Sequence, residues 1–371
     1  MKPAYEANPK YELTDEQISI GSAKLFRIRA LRTFSDVQAG DLGGFVETDG
    51  KYEGGRITRS PNLSHDDDCW LYDDAKAFAG ANVNFNAKVS GQSEVFGRAI
   101  VGGESTVADH TIVDGLHGDL SQYYAGSGVT AMVGCLAKAQ GVAEIRARTL
   151  KSDDPLVGQP KYELTDEQKE HEGSTVYRIR AVRDFELADG QTVKAGELGG
   201  WVESYRNLSH VGGAWIADNA AAMDLALVCE NALMKGQSCA YGQALARGQS
   251  LMDEEAIIAD RVVLGGRAEL YGRALLDQGT RAEDSCTIGG DVHVSGGWIG
   301  DDASLSGSVR VTGSPEIGGQ VELSGSVQVT DNAVLQGNIK LSGKDRVGRD
   351  EVLTDLDEED PELSDDVGPG F

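Results

Sequence analysis

The sequence predicts an all-β chain of stacked parallel coils with two β-rich caps. Three observations predict this fold: a head segment occurs twice, a six-residue rhythm follows each head, and the large aromatic residues that build most globular cores are scarce. Of 371 residues, 48 are glycine, 8 are proline and only 6% are aromatic. This composition favours a core of small and aliphatic side chains, and the low proline content excludes collagen.

The two copies of the head share four motifs. KYELTDEQ stands at 10–17 and 161–168, RIRALRTF at 27–34 matches RIRAVRDF at 178–185, AGDLGGFVE at 39–47 matches AGELGGWVE at 195–203, and NLSH stands at 62–65 and 207–210. Chance does not produce agreement of this length, so we predict a tandem duplication. We expect β caps over residues 1–74 and 161–219, because the open end of a stack of strands needs a cover.

After each head, small and aliphatic residues recur every six positions. The run covers residues 75–114 in the first copy, with pairs such as Ala81 and Val83, and 220–343 in the second, where one residue is dropped after Val294. Residues i and i+2 face the same side of a strand, and the intervening Gly, Asn and Asp residues favour turns. Three hexads make one triangular coil, so the long run predicts about seven coils stacked at roughly 4.8 Å.

Two segments break the six-residue rhythm. Residues 115–160 are expected to bridge the two modules, and within them Leu136–Leu150 is predicted to be a helix. The C-terminal segment, residues 344–371, is poor in apolar residues and carries ten acids and no base between Asp350 and Asp366. We expect this acidic tail to be disordered.

The charge balance argues against several classes of partner. There are 60 acidic and 34 basic residues, which gives a formal charge of −26. Such a chain repels phosphate backbones and anionic headgroups, so we expect neither nucleic acid nor a membrane as partner. The chain has no apolar run long enough to span a bilayer, no secretory signal and no C-x-x-C spacing among its five cysteines. We therefore expect a cytoplasmic protein without a metal site.

The head motifs, followed by A-x-V hexads, resemble the YdcK-like proteins. These are bacterial, phage and prophage hexapeptide-repeat proteins that are often named acyltransferases. Residues 101–106 fit the hexapeptide pattern [LIV]-[GAED]-x-x-[STAV]-x directly. The resemblance implies a left-handed parallel β-helix, whose hand the six-residue spacing alone does not determine. The resemblance assigns no catalytic role to particular residues of this chain, because a fold does not settle function.

The histidines are the candidate catalytic residues. An acyltransferase needs a general base, usually histidine, to take a proton from the attacking hydroxyl or amine. His117 is the best candidate because a loop interrupts the coil there; the alternative is a loop histidine without function. His65 and His210 recur in NLSH, which favours a structural hydrogen bond. The others are expected in a turn, at an outward strand position and in a polar connection (His110, His293 and His171).

Three further groups each have a functional and a structural interpretation. The acids Asp66–Asp68 carry the oxygen ligands that calcium prefers, but the second head has Val-Gly-Gly at this place, which favours a solvated acidic loop. The thiols of Cys229 and Cys239 are expected to be unreactive. A paired arginine motif suits an anion site or the polar face of a cap strand, and we favour the second (Arg27 with Arg29, Arg178 with Arg180).

Together these features predict a non-enzymatic structural or interaction scaffold, a rigid acidic rod that needs no cofactor. Because coils of this kind commonly pack in threes, we expect a homotrimer, and a virion-associated one if the chain is phage-encoded. The alternative is an acyltransferase that uses acetyl-coenzyme A, with His117 as base. A minor alternative is a DNA mimic built on regularly spaced carboxylates, but arginines interrupt that row of charge.

Overall fold

The computed structural model describes residues 9–53, 56–117, 132–133, 138–141, 143–146, 149–150 and 156–354. Within these residues there are strands and turns and no helix. The chain divides into two compact units, residues 1–249 and 250–371.

The first unit contains the strands of both caps and of the coils that follow them. Its first set is β1 (Tyr11–Ile20), β2 (Ala23–Ala30), β3 (Leu42–Val46), β4 (Lys51–Glu53), β5 (Arg56–Arg59), β6 (Trp70–Leu71), β7 (Lys76–Ala77), β8 (Asn82–Val83), β9 (Lys88–Val89), β10 (Glu94–Phe96), β11 (Ile100–Val101), β12 (Thr106–Val107), β13 (Ile112–Asp114), β14 (Met132–Val133), β15 (Lys138–Gly141), β16 (Glu144–Arg146), β17 (Thr149–Leu150) and β18 (Leu156–Gly158). Its second set is β19 (Tyr162–His171), β20 (Ser174–Ala181), β21 (Phe185–Glu186), β22 (Thr192–Val193), β23 (Leu198–Val202), β24 (Trp215–Ile216), β25 (Ala221–Ala222), β26 (Leu227–Val228), β27 (Leu233–Met234), β28 (Cys239–Ala240) and β29 (Leu245–Ala246).

The second unit consists of coil strands. They are β30 (Leu251–Met252), β31 (Ile257–Ile258), β32 (Val263–Leu264), β33 (Glu269–Leu270), β34 (Leu275–Asp277), β35 (Arg281–Ala282), β36 (Thr287–Ile288), β37 (His293–Ser295), β38 (Trp298–Ile299), β39 (Ser304–Leu305), β40 (Arg310–Thr312), β41 (Glu316–Ile317), β42 (Glu322–Leu323), β43 (Gln328–Val329), β44 (Val334–Leu335), β45 (Lys340–Leu341), β46 (Arg346–Val347) and β47 (Val352–Leu353).

In the first unit, three sheets form the faces of the first set of coils. Their strand orders are β1-β2-β3-β7-β10-β13-β16, β8-β11-β14-β17 and β6-β9-β12-β15-β18. Glu94 pairs in parallel with Lys76 on one side and with Ile112 on the other, so three hexads make one coil, as predicted. The predicted inward residues, such as Ala81 and Val83, are buried. The predicted all-β fold of stacked parallel coils is confirmed, and the left hand remains an implication of the resemblance.

The second unit repeats this arrangement in three rows of paired strands. Their orders are β31-β34-β37-β40-β43-β46, β30-β33-β36-β39-β42-β45 and β32-β35-β38-β41-β44-β47. His293 pairs with Leu275 of the preceding coil and with Arg310 of the following one, and the step to Arg310 is shorter by a single position. The one-residue slip predicted after Val294 is therefore real. A glycine with a φ of 90° at position 296 forms the tighter corner there, in a conformation that few other residues adopt.

The predicted helix at Leu136–Leu150 is wrong. Three strands, β15, β16 and β17, occupy the described residues of that segment. In β16, Glu144 pairs with Ile112 of β13, which lies further back in the chain than one coil of three hexads, so the coil resumes after an insertion. Pairing with an open strand edge satisfies backbone N–H and C=O groups, and this outweighs a weak helical pattern. Strands β14 to β18 thus continue the sheets through the predicted bridging segment, residues 115–160.

The coil also continues past residue 343, its predicted end. Strand β46 pairs with β43 and β47 pairs with β44, which carries the stack to Leu353. The aliphatic position of the hexad is kept, since Val347 is buried. At the position of the small residue, two residues earlier, the sequence has acids, Asp345 and Glu351. That substitution concealed the last hexads in the sequence. Residues 355–371 of the predicted tail lie outside the described residues.

Acidic side chains tie each coil to the next one. At several corners an acid with a φ between 52° and 62° accepts a hydrogen bond from the backbone N–H of the residue 18 positions later. The acceptors in the first unit are Asp73, Asp218, Asp224 and Glu230. Those in the second unit are Glu254, Asp260, Asp301 and Asp331. We call this set the corner ladder; it gives part of the acid excess a structural role.

Each cap is held by a buried lysine and a histidine. Lys161 and its counterpart Lys10 are both fully buried. The backbone N–H of Lys161 donates to Nδ1 of His210 at 3.1 Å, and the His210 ring stacks on Tyr162 at 4.2 Å. The first cap repeats both contacts through His65. These are the structural hydrogen bonds that the recurrence of NLSH predicts.

The side-chain amine of Lys161 is buried at a place where a positive charge would be destabilising. Its Nζ donates to the backbone oxygens of Ala214 at 2.6 Å and Gly212 at 3.4 Å, and it lies 5.2 Å from the centre of the Phe185 ring. Burial, with a smaller effect of Arg183, lowers the pKa of Lys161 to about 7. Two carbonyl acceptors match the two N–H bonds of a neutral amine, so this geometry suits the uncharged form.

The corner ladder predicts a difference between two substitutions at Asp301. Asp301→Ala loses the acceptor for the Gly319 N–H and places alanine at a φ of 52°, so the free energy of unfolding should fall by about 1–2 kcal/mol. Asp301→Asn keeps an oxygen acceptor and tolerates this φ, so its loss should be smaller. Urea unfolding measures all of these free energies. Asp302→Ala, at the exposed neighbour, is the control; equal losses for all three variants contradict the ladder.

The lowered pKa of Lys161 makes the stability of its cap depend on pH. Between about pH 7 and 10.5 the unfolded chain holds a proton on this lysine that the folded chain has released. Raising the pH through this window therefore stabilises the folded state, by up to about 1.4 kcal/mol per unit. Lys161→Met should flatten this rise in urea unfolding across the window, whereas Lys24→Met, at an exposed lysine, should leave it intact. A Lys161→Met slope equal to the parent's refutes the assignment.

Candidate functional site

His117 is held by an aspartate at the end of strand β13. Its Nδ1 lies 2.9 Å from Oδ2 of Asp114, and the two side chains are 6% and 0% exposed. The other carboxylate oxygen accepts the backbone N–H groups of Leu116 at 2.8 Å and His117 at 3.0 Å. The aspartate thus fixes both the turn and the orientation of the imidazole.

This pair has the geometry of an oriented general base. A proton on Nδ1, shared with the carboxylate, leaves the lone pair on Nε2. The Nε2 atom is buried and has no hydrogen-bond partner among the described residues. Proton abstraction from a hydroxyl or amine is the chemistry that such an atom can perform. The chain that follows, from residue 118 to 131, lies outside the described residues.

A second histidine–aspartate pair lies on the outside of a coil in the second unit. Nε2 of His293 is 3.0 Å from Oδ2 of Asp277, on the neighbouring strand β34. The two side chains are 34% and 21% exposed, so His293 faces outward as predicted but is not alone. The partner stands 16 positions earlier, a spacing that becomes a contact only through the register of the coils.

His110 lines a polar cavity inside the first unit. The cavity holds about 400 Å³ between the outer face of β7, β10 and β13 and the second cap; its lining includes Lys76, Glu94, His110, Tyr177 and Tyr205. Burial lowers the pKa of His110, so the ring is neutral at pH 7. Its Nδ1 is buried and has no partner among the described residues, and its centroid lies 4.8 Å from that of Tyr205. A small polar molecule suits this lining.

A buried ion network joins the first coils to the second cap beside this cavity. Nη1 of Arg206 lies 2.9 Å from both carboxylate oxygens of Glu94, and Lys76 approaches the same carboxylate at 3.2 Å. Burial by itself would raise the pKa of Glu94, but Arg206 and Lys76 hold it below its usual value. Arg206 also binds Glu203 and donates to the backbone oxygen of Asp224 at 2.6 Å. Sequence reasoning missed this network because its members are up to 112 residues apart.

Cys239 and Cys286 are poor nucleophiles. Sγ of Cys239 lies 3.8 Å from Nε2 of His171, a contact that sequence spacing does not reveal. Burial, with Glu172 and Asp224, raises the pKa of this thiol to about 12, and burial raises that of Cys286 to about 12 as well. Both thiols are therefore protonated at pH 7, which for Cys239 agrees with the prediction of an unreactive thiol.

The paired arginines form ion pairs on the cap surface. Arg27 binds Glu16 and Asp74, each at 2.8 Å, and covers the ring of Phe45 at 4.2 Å. In each cap the second arginine of the motif binds a glutamate on the neighbouring strand (Arg29 with Glu12, Arg180 with Glu163). This supports the polar face of a strand over an anion site.

In the acidic loop of residues 66–68, Asp67 accepts the backbone N–H of Phe85 at 2.9 Å. The structure brings no group of three or more His, Cys, Asp or Glu side chains into metal-binding proximity within the part of the chain that it describes. Nor does any described helix have the length and hydrophobicity to span a membrane.

Part of this chain is similar in sequence to a bacterial protein. The chain is 33% identical over 97 residues to the Escherichia coli (strain K12) protein named uncharacterized acetyltransferase YdcK. This match covers 24% of the chain and 26% of the E. coli protein, so the chain spans about a quarter of its relative. No family model matches the chain. Similarity to a protein named as an acetyltransferase and a β-solenoid fold are together consistent with the hexapeptide-repeat proteins.

Proposed function

We propose that the chain is a structural or interaction scaffold that needs no cofactor. The corner ladder carries this proposal, because it commits outward-facing acids in both units to bonds between successive coils. Each coil is thus fixed to its neighbours at the corners as well as along the strands, which presents side chains at constant intervals. Such a surface suits a partner that binds side chains spaced at regular intervals.

The proposal includes a homotrimer that arose from a tandem duplication, located in the cytoplasm or, if phage-encoded, on a virion. Coils of this kind commonly pack in threes, and the two caps share the same strand register, with Tyr11 opposite Ala30 and Tyr162 opposite Ala181. Light scattering on the full chain should give three times the chain mass. A monomer contradicts the trimer.

A second candidate is acyl transfer from acetyl-coenzyme A. The Asp114–His117 pair favours it, since it orients an imidazole as a general base, and so does the name of the E. coli relative. In this role Nε2 of His117 takes the proton of an acceptor hydroxyl or amine as it attacks the thioester carbonyl. Asp114 stabilises the resulting imidazolium. The C–S bond then breaks, and the imidazolium returns the proton to the departing thiolate of coenzyme A.

Acetyl-coenzyme A binding separates the two candidates. The scaffold predicts no heat of binding in calorimetry at millimolar ligand, with the mass of the protein in solution known. Binding at micromolar strength, stoichiometric with subunits, overturns the scaffold and favours the transferase.

If the protein is an acetyltransferase, His117→Ala should lower the rate of acetyl transfer about a hundredfold to ten-thousandfold. His293→Ala removes a histidine that also has an aspartate partner and serves as the matched control. An unchanged rate in His117→Ala removes the assignment of the base.

A further inference from the structure

The first cap brings a lysine and a cysteine together in its interior. Nζ of Lys10 lies 3.4 Å from Sγ of Cys69, and both residues are 0% exposed. The lysine precedes β1, and the cysteine lies directly before β6, the first strand of the coils. A covalent bond between them would therefore tie the start of the cap to the start of the coils.

The surroundings direct the amine towards the sulfur. Nζ donates to the backbone oxygens of Cys69 at 2.7 Å and Asp67 at 2.9 Å, which uses two N–H bonds and leaves its third position facing Sγ. Sγ in turn lies 3.3 Å from the backbone oxygen of Val83. Burial lowers the pKa of Lys10, which favours the neutral and nucleophilic form of the amine. Burial raises the pKa of Cys69, and Lys10 opposes that rise through its charge and its hydrogen bond to the sulfur.

We propose that Lys10 and Cys69 form a redox-sensitive modification site, at which a peroxide converts the pair into an S–N crosslink. In the first step the thiol reduces the peroxide: Cys–SH and ROOH give Cys–SOH and ROH. In the second step the amine attacks the sulfenic sulfur: Lys–NH2 and Cys–SOH give Lys–NH–S–Cys and water, and the amine proton leaves with the hydroxyl. Sulfenic acids condense in this way with a nearby nitrogen.

The product suits its environment better than the reactants do. Protonation of a buried amine destabilises the folded cap, and the crosslink removes the amine that could take up this proton. The bond also closes a loop between residues 10 and 69, which restricts the unfolded chain. A peroxide is small enough to reach the pair when the cap opens locally.

The second cap is a natural control for this site. Lys161 donates to the backbone oxygens of Gly212 and Ala214, as Lys10 does to those of Asp67 and Cys69. Ala214 stands at the place of the cysteine, directly before the first coil tryptophan in each module. The amine is thus present in the second cap without a thiol beside it. Cys69→Ala makes the first cap resemble the second and should fold, while Ala214→Cys should install a second site.

Peptide mass spectrometry on the full chain tests the proposal. After hydrogen peroxide treatment, the peptide with Lys10 should be joined to the peptide with Cys69 and be lighter than their sum by two hydrogen atoms. Dithiothreitol should release it, and Cys69→Ala should not form it. Treatment in urea, where the two groups are apart, should not form it either. Ala214→Cys should add the same link to Lys161.

Three results would overturn the site. One is a Cys69 that remains a free thiol after peroxide treatment of the folded chain. Another is oxidation of Cys69 to sulfinic acid without any joined peptide. The third is a joined peptide that forms equally in urea, because that reaction does not depend on the folded geometry.

Discussion

A corner every six residues is the constraint on which this structure depends. Parallel strands of two or three residues pair only if the chain turns sharply at each corner, and every such turn places a residue at positive φ. Glycine takes that place at many corners, and aspartate or glutamate takes it at others. At the acidic corners the side chain then reaches the backbone N–H of the next coil, so the residue that permits the turn also bonds to its neighbour. This links the unusual composition to the fold: the glycine content and part of the acid excess serve the same corners.

The interior follows from the same geometry. Each short strand offers two inward positions, and the triangular section leaves room for one small and one aliphatic side chain, as in Ala81 with Val83 or Ala303 with Leu305. Large aromatic residues are buried elsewhere in the first unit. Trp70 and Trp215, in the first coil strand after each cap, are buried against tyrosine and phenylalanine rings of the caps, and Phe78 and Phe96 are buried against each other.

The caps and the contact between modules contain the groups that are costly to bury. Lys10 and Lys161 give up solvation for backbone carbonyl oxygens, and the Glu94–Arg206 pair does so for the contact of one guanidinium nitrogen with both carboxylate oxygens. Removing either partner of such a pair leaves the other as an uncompensated buried charge, which is strongly destabilising. Glu94 lines the same cavity as His110, and Asp114 and His117 follow His110 in the chain by four and seven residues. These are the places in the first unit where polar chemistry is concentrated.

The sequence by itself determined the coils, their inward register, the one-residue slip and the recurring histidine contacts, because these depend on periods of two and six residues that a single chain displays directly. It failed where the period was hidden, as at Leu136–Leu150, where strand edges impose pairing on a helical pattern, and beyond residue 343, where acids replace the small hexad residue. Only the tertiary structure decided which side chains meet across coils and caps: Asp277 with His293, Arg206 with Glu94, and Lys10 with Cys69. Those contacts join residues 16 to 112 positions apart. Their distances are set by how many coils and turns lie between them, and no local pattern in the chain records that.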